Sequence, residues 1–369
     1  GITVMGTGDF THPVWIKEIK TKLQPAEDGL YRLKGTDSPA RFLLTVEISS
    51  IYSKGGKTRR IHTLVFVPSV EAAEKINAAL GWRGNLKSDG RPILGLDAKE
   101  LAKIVWDSDP RAAVVPAHAW TPWFSVFGSM SGFDSLEECY DEYAKNIFAI
   151  ETGLSSDPAM NRRVSALDRI ALISNSDSHS LQRIGREANV FDTELSYDGI
   201  MHAIKSHDPA RFLFTVEFYP EEGKYHYDGH RLCKFSCAPE KTKKLHKLCP
   251  KCGKPVTVGV MYRVDELADR PQDAPLPAGA IPFRSMVPLD EIIAGAFGVG
   301  TASKKVKAEY RDLIQKIGSE FAVVMDASKS DLASATTPEV VEGIMRVREG
   351  RLAIAPGYDG EYGHVKIFA

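Results

Sequence analysis

The sequence predicts an α/β fold, a parallel β/α barrel or a doubly wound sheet, with a small metal-binding module and a helical C-terminal region. Three observations carry this reading. Short apolar runs alternate with amphipathic segments over the first 222 residues. Four of the five cysteines fall between positions 233 and 252. From residue 285 onward, helical patterns dominate.

The strands are expected at "ITVMGT", "FLLTVEISS", "IHTLVFVP", "AAVVPAH", "IFAIETG", "RIALISNS" and "FLFTVEF". Between them, "SVEAAEKINAALGW", "DAKELAKIVWDS" and "SLEECYDEYAKN" repeat apolar residues at helical spacing. The barrel or sheet is assigned to residues 1–222 and the Cys-rich module to 223–270. "PQDAPLPAGAIPF" reads as a Pro/Gly-rich linker (271–284), before helices at "LDEIIAGAF", "SKKVKAEYRDLIQKIGSEF" and "TPEVVEGIMRVREG" in 285–369. "GITVMGT" opens in mid-strand, so an N-terminal piece carrying one further strand is expected to precede Gly1.

Composition excludes some classes. Lys plus Arg (47) nearly cancels Asp plus Glu (48), so no global charge announces nucleic acid, although a local basic face remains open. No run of about 18 apolar residues and no signal peptide is present, which points to a cytoplasmic chain without a membrane partner. A monomer is the simplest expectation. "KGGKT" ends like a phosphate-binding loop, but the first glycine of that motif would fall at Ile51, and the segment joins two strands.

Polar residues gather in or just after the apolar runs, where α/β folds place their chemistry. Asp9 and His12 follow the first run and Glu47 lies within the second. His62 opens the third; a "KGGKTR" turn would set it beside Glu47 on the neighbouring strand. His118 and Glu151 end two further runs, and "SNSDSH" adds Asp177 and His179, two residues apart and so expected on one face. Imidazoles and carboxylates together suit a divalent metal (Zn, Mn or Mg), and such ions activate water and clamp phosphoryl groups.

In this order the motifs resemble the polymerase and histidinol phosphatase (PHP) superfamily of metal-dependent phosphoesterases. "TGDFT" matches a T-D-H-x-T element with Asp9 at the His position, and Glu47, His62, His118 and Asp177/His179 match the rest. The H-x-H motif of that superfamily is absent. More narrowly, "GTGDFTHPVW", "PAHAWTPWFSVFGSMSGFDS", "SNSDSHSLQRIGREANVF", "YHYDGHR" and "CPKCGKPVTVGVMYRVDELADR" resemble the endonuclease Q family over essentially the whole chain. The resemblance implies a distorted PHP-type β/α barrel. It implies a repair endonuclease that hydrolyses DNA 5′ to deaminated bases (uracil, hypoxanthine, xanthine) or abasic sites. Asp9, Glu47, His62, His118, Asp177 and His179 would hold the metals, with Asp177, His179 and Glu47 catalytic, and His12 and Glu151 supporting them. The alternatives are a small-molecule phosphoesterase and, given the missing H-x-H, a non-catalytic DNA binder.

"HRLCKFSC" and "CPKCGK" offer Cys233, Cys237, Cys249 and Cys252 as a closed structural zinc site. His230 competes with Cys237 for the fourth place. The loop "AWTPWFSVFGSMSGF" carries Trp120, Trp123, Phe124 and Phe127 beside His118, where aromatics can stack on an extruded base. The clusters "KGGKTRR", "KTKKLHK" and "SKKVKAEYR" are candidate phosphate contacts, and "GAFGVGTASKKV" resembles a helix pair joined by a Gly hairpin.

Overall fold

The computed structural model describes residues 1–368. Its organising element is a long antiparallel hairpin, Arg41–Lys54 with Lys57–Val67. Gly55 and Gly56 form the turn at φ 62° and 73°, the left-handed pair that a two-residue hairpin needs. Alternation then divides the hairpin into two faces. Leu44, Val46, Ile48, Ile61 and Val65 face a core closed by the helices Val70–Gly81, Ala98–Ser108 and Val260–Leu267. Each such buried side chain contributes about 1.5–3 kcal/mol. Leu43, Thr45, Glu47, Leu64 and Phe66 face the other way and line a cavity of about 1030 Å³.

The helices start where capping residues satisfy their first amides. Ser69 accepts from Ala72 N, and Asp97 accepts from Lys99 N. Val4–Gly6 runs parallel to Arg41–Lys54, and Ala113–Pro116 pairs antiparallel with Lys57–Val67. Further round lie the parallel pair Ala149–Glu151 with Ala171–Ile173, and a sheet ordered Ala188–Phe191, Phe212–Glu217, Phe283–Ser285.

The described residues form no closed barrel. Among the described residues the ladders fall into five separate sheets, with no backbone ladder from Ala113–Pro116 to Ala149–Glu151. Between Ala171–Ile173 and Ala188–Phe191 side chains replace the ladder: Ser174 N donates to Asn189 Oδ1, and Asn189 Nδ2 donates to Ser174 O. The architecture is a mixed α/β fold with strands curled around a cavity.

Two expected boundaries shift. Phe283–Ser285 pairs with Phe212–Glu217, so the segment read as a linker ends in a strand. The helix Val260–Leu267, placed with the Cys-rich module, packs Val260, Met261 and Val264 into the hairpin core. A second core joins Leu289–Phe297, Lys304–Ile317 and Pro338–Arg348. Gly298 ends the first of these at φ 63° and Ser303 caps the second. The C-terminal hairpin, Ala353–Ala355 with His364–Lys366, has its turn over the Cys-rich module, where Asp359 accepts from Arg231 N and Thr257 Oγ1. No helix among the described residues is long and apolar enough to cross a membrane.

Candidate metal centre and Cys-His site

The hairpin register positions the first site. Glu47 pairs with Leu64, and His62 pairs with Ser49, two residues along the same face as Glu47. The two side chains are diagonal neighbours, within reach of one another. His62 Nδ1 lies 2.8 Å from Glu47 Oε1. His118 comes from beyond Ala113–Pro116, with Nε2 3.1 Å from Glu47 Oε1 and 3.1 Å from His62 Nδ1. One donor atom from each of the three lies within 4.8 Å of the others.

Neighbours fix these side chains. Thr121 Oγ1 stands 2.9 Å from His118 Nδ1 and donates its own proton to Trp123 O. It can therefore only accept from Nδ1–H, so Nε2 is the nitrogen that faces Glu47, bonded to its carboxylate here and able to give up that proton to a cation. His118 N donates to Glu151 Oε2, while Asn175 Nδ2 donates to Glu151 Oε1. Gly153 lets this happen: a Cβ there would lie 2.6 Å from His118 Cβ. Arg91 Nη1 approaches the second Glu47 oxygen at 3.2 Å, and Phe124 packs on the His62 ring at 4.7 Å.

The electrostatics follow. Burial disfavours the Glu47 charge, but hydrogen bonds from His118 and His62 outweigh it and hold the carboxyl well below the usual range. Burial lowers the His62 pKa against the pull of Glu47. In His118 the opposing pull of Glu47, Glu151 and Asp177 outweighs burial, and its pKa is raised. Burial pushes Glu151 up to about 7 against His118 and Asn175. Two imidazole nitrogens and a carboxylate converging on one point form a donor set that fits a divalent cation.

The other expected ligands lie apart from this trio. Asp177 lines the same cavity from its rim but is solvent-exposed. His179 is 81% exposed and folds back on the Asp177 carbonyl at 3.0 Å. Their strand ends at Ile173, and Asp177 sits at φ 43°, so the alternation expected to align them does not apply. Asp9 lies on an open loop with its carboxylate tucked against Gly90, and partial desolvation there, with the nearby Asp89 and Glu47 charges, raises its pKa. His12 begins the helix Pro13–Lys22 without a side-chain cap bond. Asp9, His118, Phe124 and Asp177 all have positive φ, a clustering of backbone strain typical of functional loops.

Two of the four aromatics expected to touch DNA are corrected. Trp120 is 1% exposed, donates to Asn161 Oδ1 and packs on Phe127 at 4.9 Å. Both rings belong to the hairpin core and present no face to a base. Trp123 and Phe124 remain half-buried, Trp123 against Tyr225.

In the second site His230, Cys233, Cys249 and Cys252 place their donor atoms within 4.8 Å of one another. A tetrahedral zinc with bonds near 2.3 Å sets its sulfurs about 3.8 Å apart, so the four fit. Cys237 is not among them. It pairs with Asp228 at the end of the ladder away from the turn, and its Sγ meets Thr242 Oγ1 at 3.2 Å. Burial would raise the Cys249 thiol, but amides of Lys251 and Cys252 outweigh it and bring it down to about 7.

The sequence reading missed two buried carboxylates. Glu187 lines the cavity, and Glu217, outside its lining, accepts from Thr215 and Thr152 hydroxyls. A signal for Glu217 was present: "RFLLTVE" (41–47) and "RFLFTVE" (211–217) are nearly the same heptapeptide.

The crystal structure of the lesion-specific endonuclease PfuEndoQ from Pyrococcus furiosus superposes with a TM-score of 0.87 at 31% identity, covering 99% of this chain and 87% of that one. The chain belongs to the endonuclease Q family. A second crystal structure, of Endonuclease Q in complex with a 27-mer duplex substrate with an abasic lesion at the active site, gives a TM-score of 0.85 at 32% identity, covering 100% of this chain and 89% of that one. Residues 288–351 match the family model described as the MJ0043 C-terminal domain. MJ0043 of Methanocaldococcus jannaschii is 33% identical over 256 residues, which is 67% of this chain and 31% of that protein. The chain thus matches under a third of MJ0043's length. YqxK of Bacillus subtilis is 29% identical over 375 residues, covering 99% of this chain and 89% of that protein.

Proposed function

We propose that this chain is a metal-dependent DNA repair endonuclease that hydrolyses the phosphodiester 5′ to an abasic site or a deaminated base (uracil, hypoxanthine or xanthine). The observation that carries the reading is the convergence of Glu47, His62 and His118 in a family whose solved members are lesion endonucleases. These three residues would hold a divalent cation (Zn, Mn or Mg), with Asp177 and Asp9 supplying further carboxylates from the surrounding loops. A cation there lowers the pKa of water and offsets charge on the phosphodiester as it is attacked.

The chain's own residues prepare that chemistry. Thr121 sets the His118 tautomer, Glu151 anchors the His118 backbone, and Arg91 steadies the outer oxygen of Glu47. The Cys-His site, loaded with zinc, has four protein ligands and no open position, which suits a structural role. It lies on the module that carries the C-terminal hairpin.

The test is a nicking assay. A labelled duplex with one abasic site, incubated with full-length protein and Mn²⁺, should yield a single product ending 5′ to the lesion. An undamaged duplex of the same sequence should stay intact. A folded, metal-loaded protein that leaves abasic, uracil and hypoxanthine duplexes uncut would overturn the reading.

A further inference from the structure

Two imidazoles hold one oxygen of Glu47, and a single guanidinium reaches the other. The sheet register puts it there. Ser49 pairs in parallel with Ile93, so Arg91, two residues back, stands level with Glu47 on the same face. Its backbone is fixed on both sides: Asp89 Oδ1 accepts from Arg91 N, and Pro92 O accepts from Ser49 N. Gly90 lies so close to Asp9 that a Cβ there would meet the Asp9 carboxylate. Among the described residues, Arg91 is the one Lys or Arg ion-paired to the trio of Glu47, His62 and His118.

The guanidinium spends little of itself on that contact. Nη1 meets Glu47 Oε2 at 3.2 Å, while Nε and Nη2 have no partner among the described residues. The side chain is 42% exposed. An ion pair this open to water adds only a little to the hold on Glu47, which two imidazoles already fix. What remains is a planar fork of N–H donors at the edge of the candidate metal centre. Its geometry matches two oxygens of a phosphate.

We propose that Arg91 binds the non-bridging oxygens of the scissile phosphate through Nε and Nη2 and offsets the charge that builds on them during hydrolysis. This rests on the endonuclease reading above and adds a catalytic residue to it. In the reaction, the oxygen of water bonds to phosphorus, one ester P–O bond breaks, and the departing oxygen takes up a proton. Arg91 neither gives nor takes that proton, because a guanidinium stays charged. It contributes fixed donors, already aimed at the oxygens where charge develops.

Wild-type, Arg91→Ala and Arg91→Lys proteins are compared on an abasic duplex, in single turnover, across a Mn²⁺ titration. Arg91→Ala should cut about 100–1,000-fold more slowly at every Mn²⁺ concentration. Arg91→Lys keeps the charge without the fork and should fall between the two. Mn²⁺ affinity, read from the EPR signal of the free ion, should not drop in either variant. A second readout needs no cleavage: binding in Ca²⁺ to the abasic duplex with its target phosphate replaced by a neutral methylphosphonate. That replacement should weaken wild-type binding about tenfold more than it weakens Arg91→Ala binding, since the alanine protein has already lost the partner charge. Arg91→Lys carries both comparisons if the alanine protein does not fold. Full activity in the variants, activity restored by high Mn²⁺, or equal sensitivity to the neutral linkage would overturn the role of Arg91 and leave the endonuclease reading intact. A wild-type protein that cuts no lesion duplex overturns both.

Discussion

Replacing Cys237 by Ser and, separately, His230 by Ala tests the Cys-His site. The structure gives them opposite outcomes. Cys237 Sγ is buried with Phe235 and Val256 and meets Thr242 Oγ1, a contact that a serine hydroxyl can keep. Its replacement should cost about 1 kcal/mol and leave zinc content unchanged. His230 is one of four donors. Structural zinc contributes about 10–16 kcal/mol in small zinc domains, or about 2.5–4 per ligand, so losing one should weaken binding by about 70-fold or more. Zinc per protein after gel filtration, followed by release into a chelating dye, reads both. Cys237→Ser should retain one zinc, and His230→Ala should release it to the dye. Zinc lost from Cys237→Ser and kept by His230→Ala would refute the ligand assignment.

Trp120→Ala should destabilise the protein by about 3–5 kcal/mol in denaturant melts, because it empties a core position and orphans Asn161. A melt equal to wild type would return Trp120 to the solvent-facing role expected from its loop. Glu217 is pushed up to about 8 by burial, against hydrogen bonds from Thr215 and Thr152. Its folded pKa lies above the unfolded value of 4.5, so the neutral form's stability is complete below 4.5 and lost as pH rises through 8. Glu217→Gln should therefore flatten the fall in melting temperature between pH 5 and pH 8.5, and a fall as steep as in wild type would refute this. In the nicking assay, Asp177→Asn should lose cleavage and keep binding to an abasic duplex.

Much of the fold was legible because its signals are local. The seven apolar runs all became strands, and the "KGGKTR" turn formed the hairpin that brings Glu47 to His62. What escaped was set by tertiary geometry. Ala188–Phe191 lacks a long apolar run, so the strand following Glu187 went unread. The spacing of Cys237 suits a zinc ligand as well as His230 does. Only the ladder register, with Cys237 opposite Asp228, turns its thiol away from the other three. For Asp177 and His179, alternation failed because the strand stops four residues before Asp177. The aromatic loop looked like a rim, yet Arg263 ties it down by donating to Phe127 O and Phe133 O, and Trp120 and Phe127 pack inward.

The most direct measurement is anomalous diffraction from crystals of the protein soaked in Mn²⁺ or Zn²⁺, recorded at the metal's absorption edge. The account predicts a peak about 2.0–2.2 Å from a ring nitrogen of His62, a ring nitrogen of His118 and a carboxylate oxygen of Glu47. Crystals that show no peak there, at metal concentrations that support nicking in solution, and that keep these three side chains bonded to one another, would contradict it.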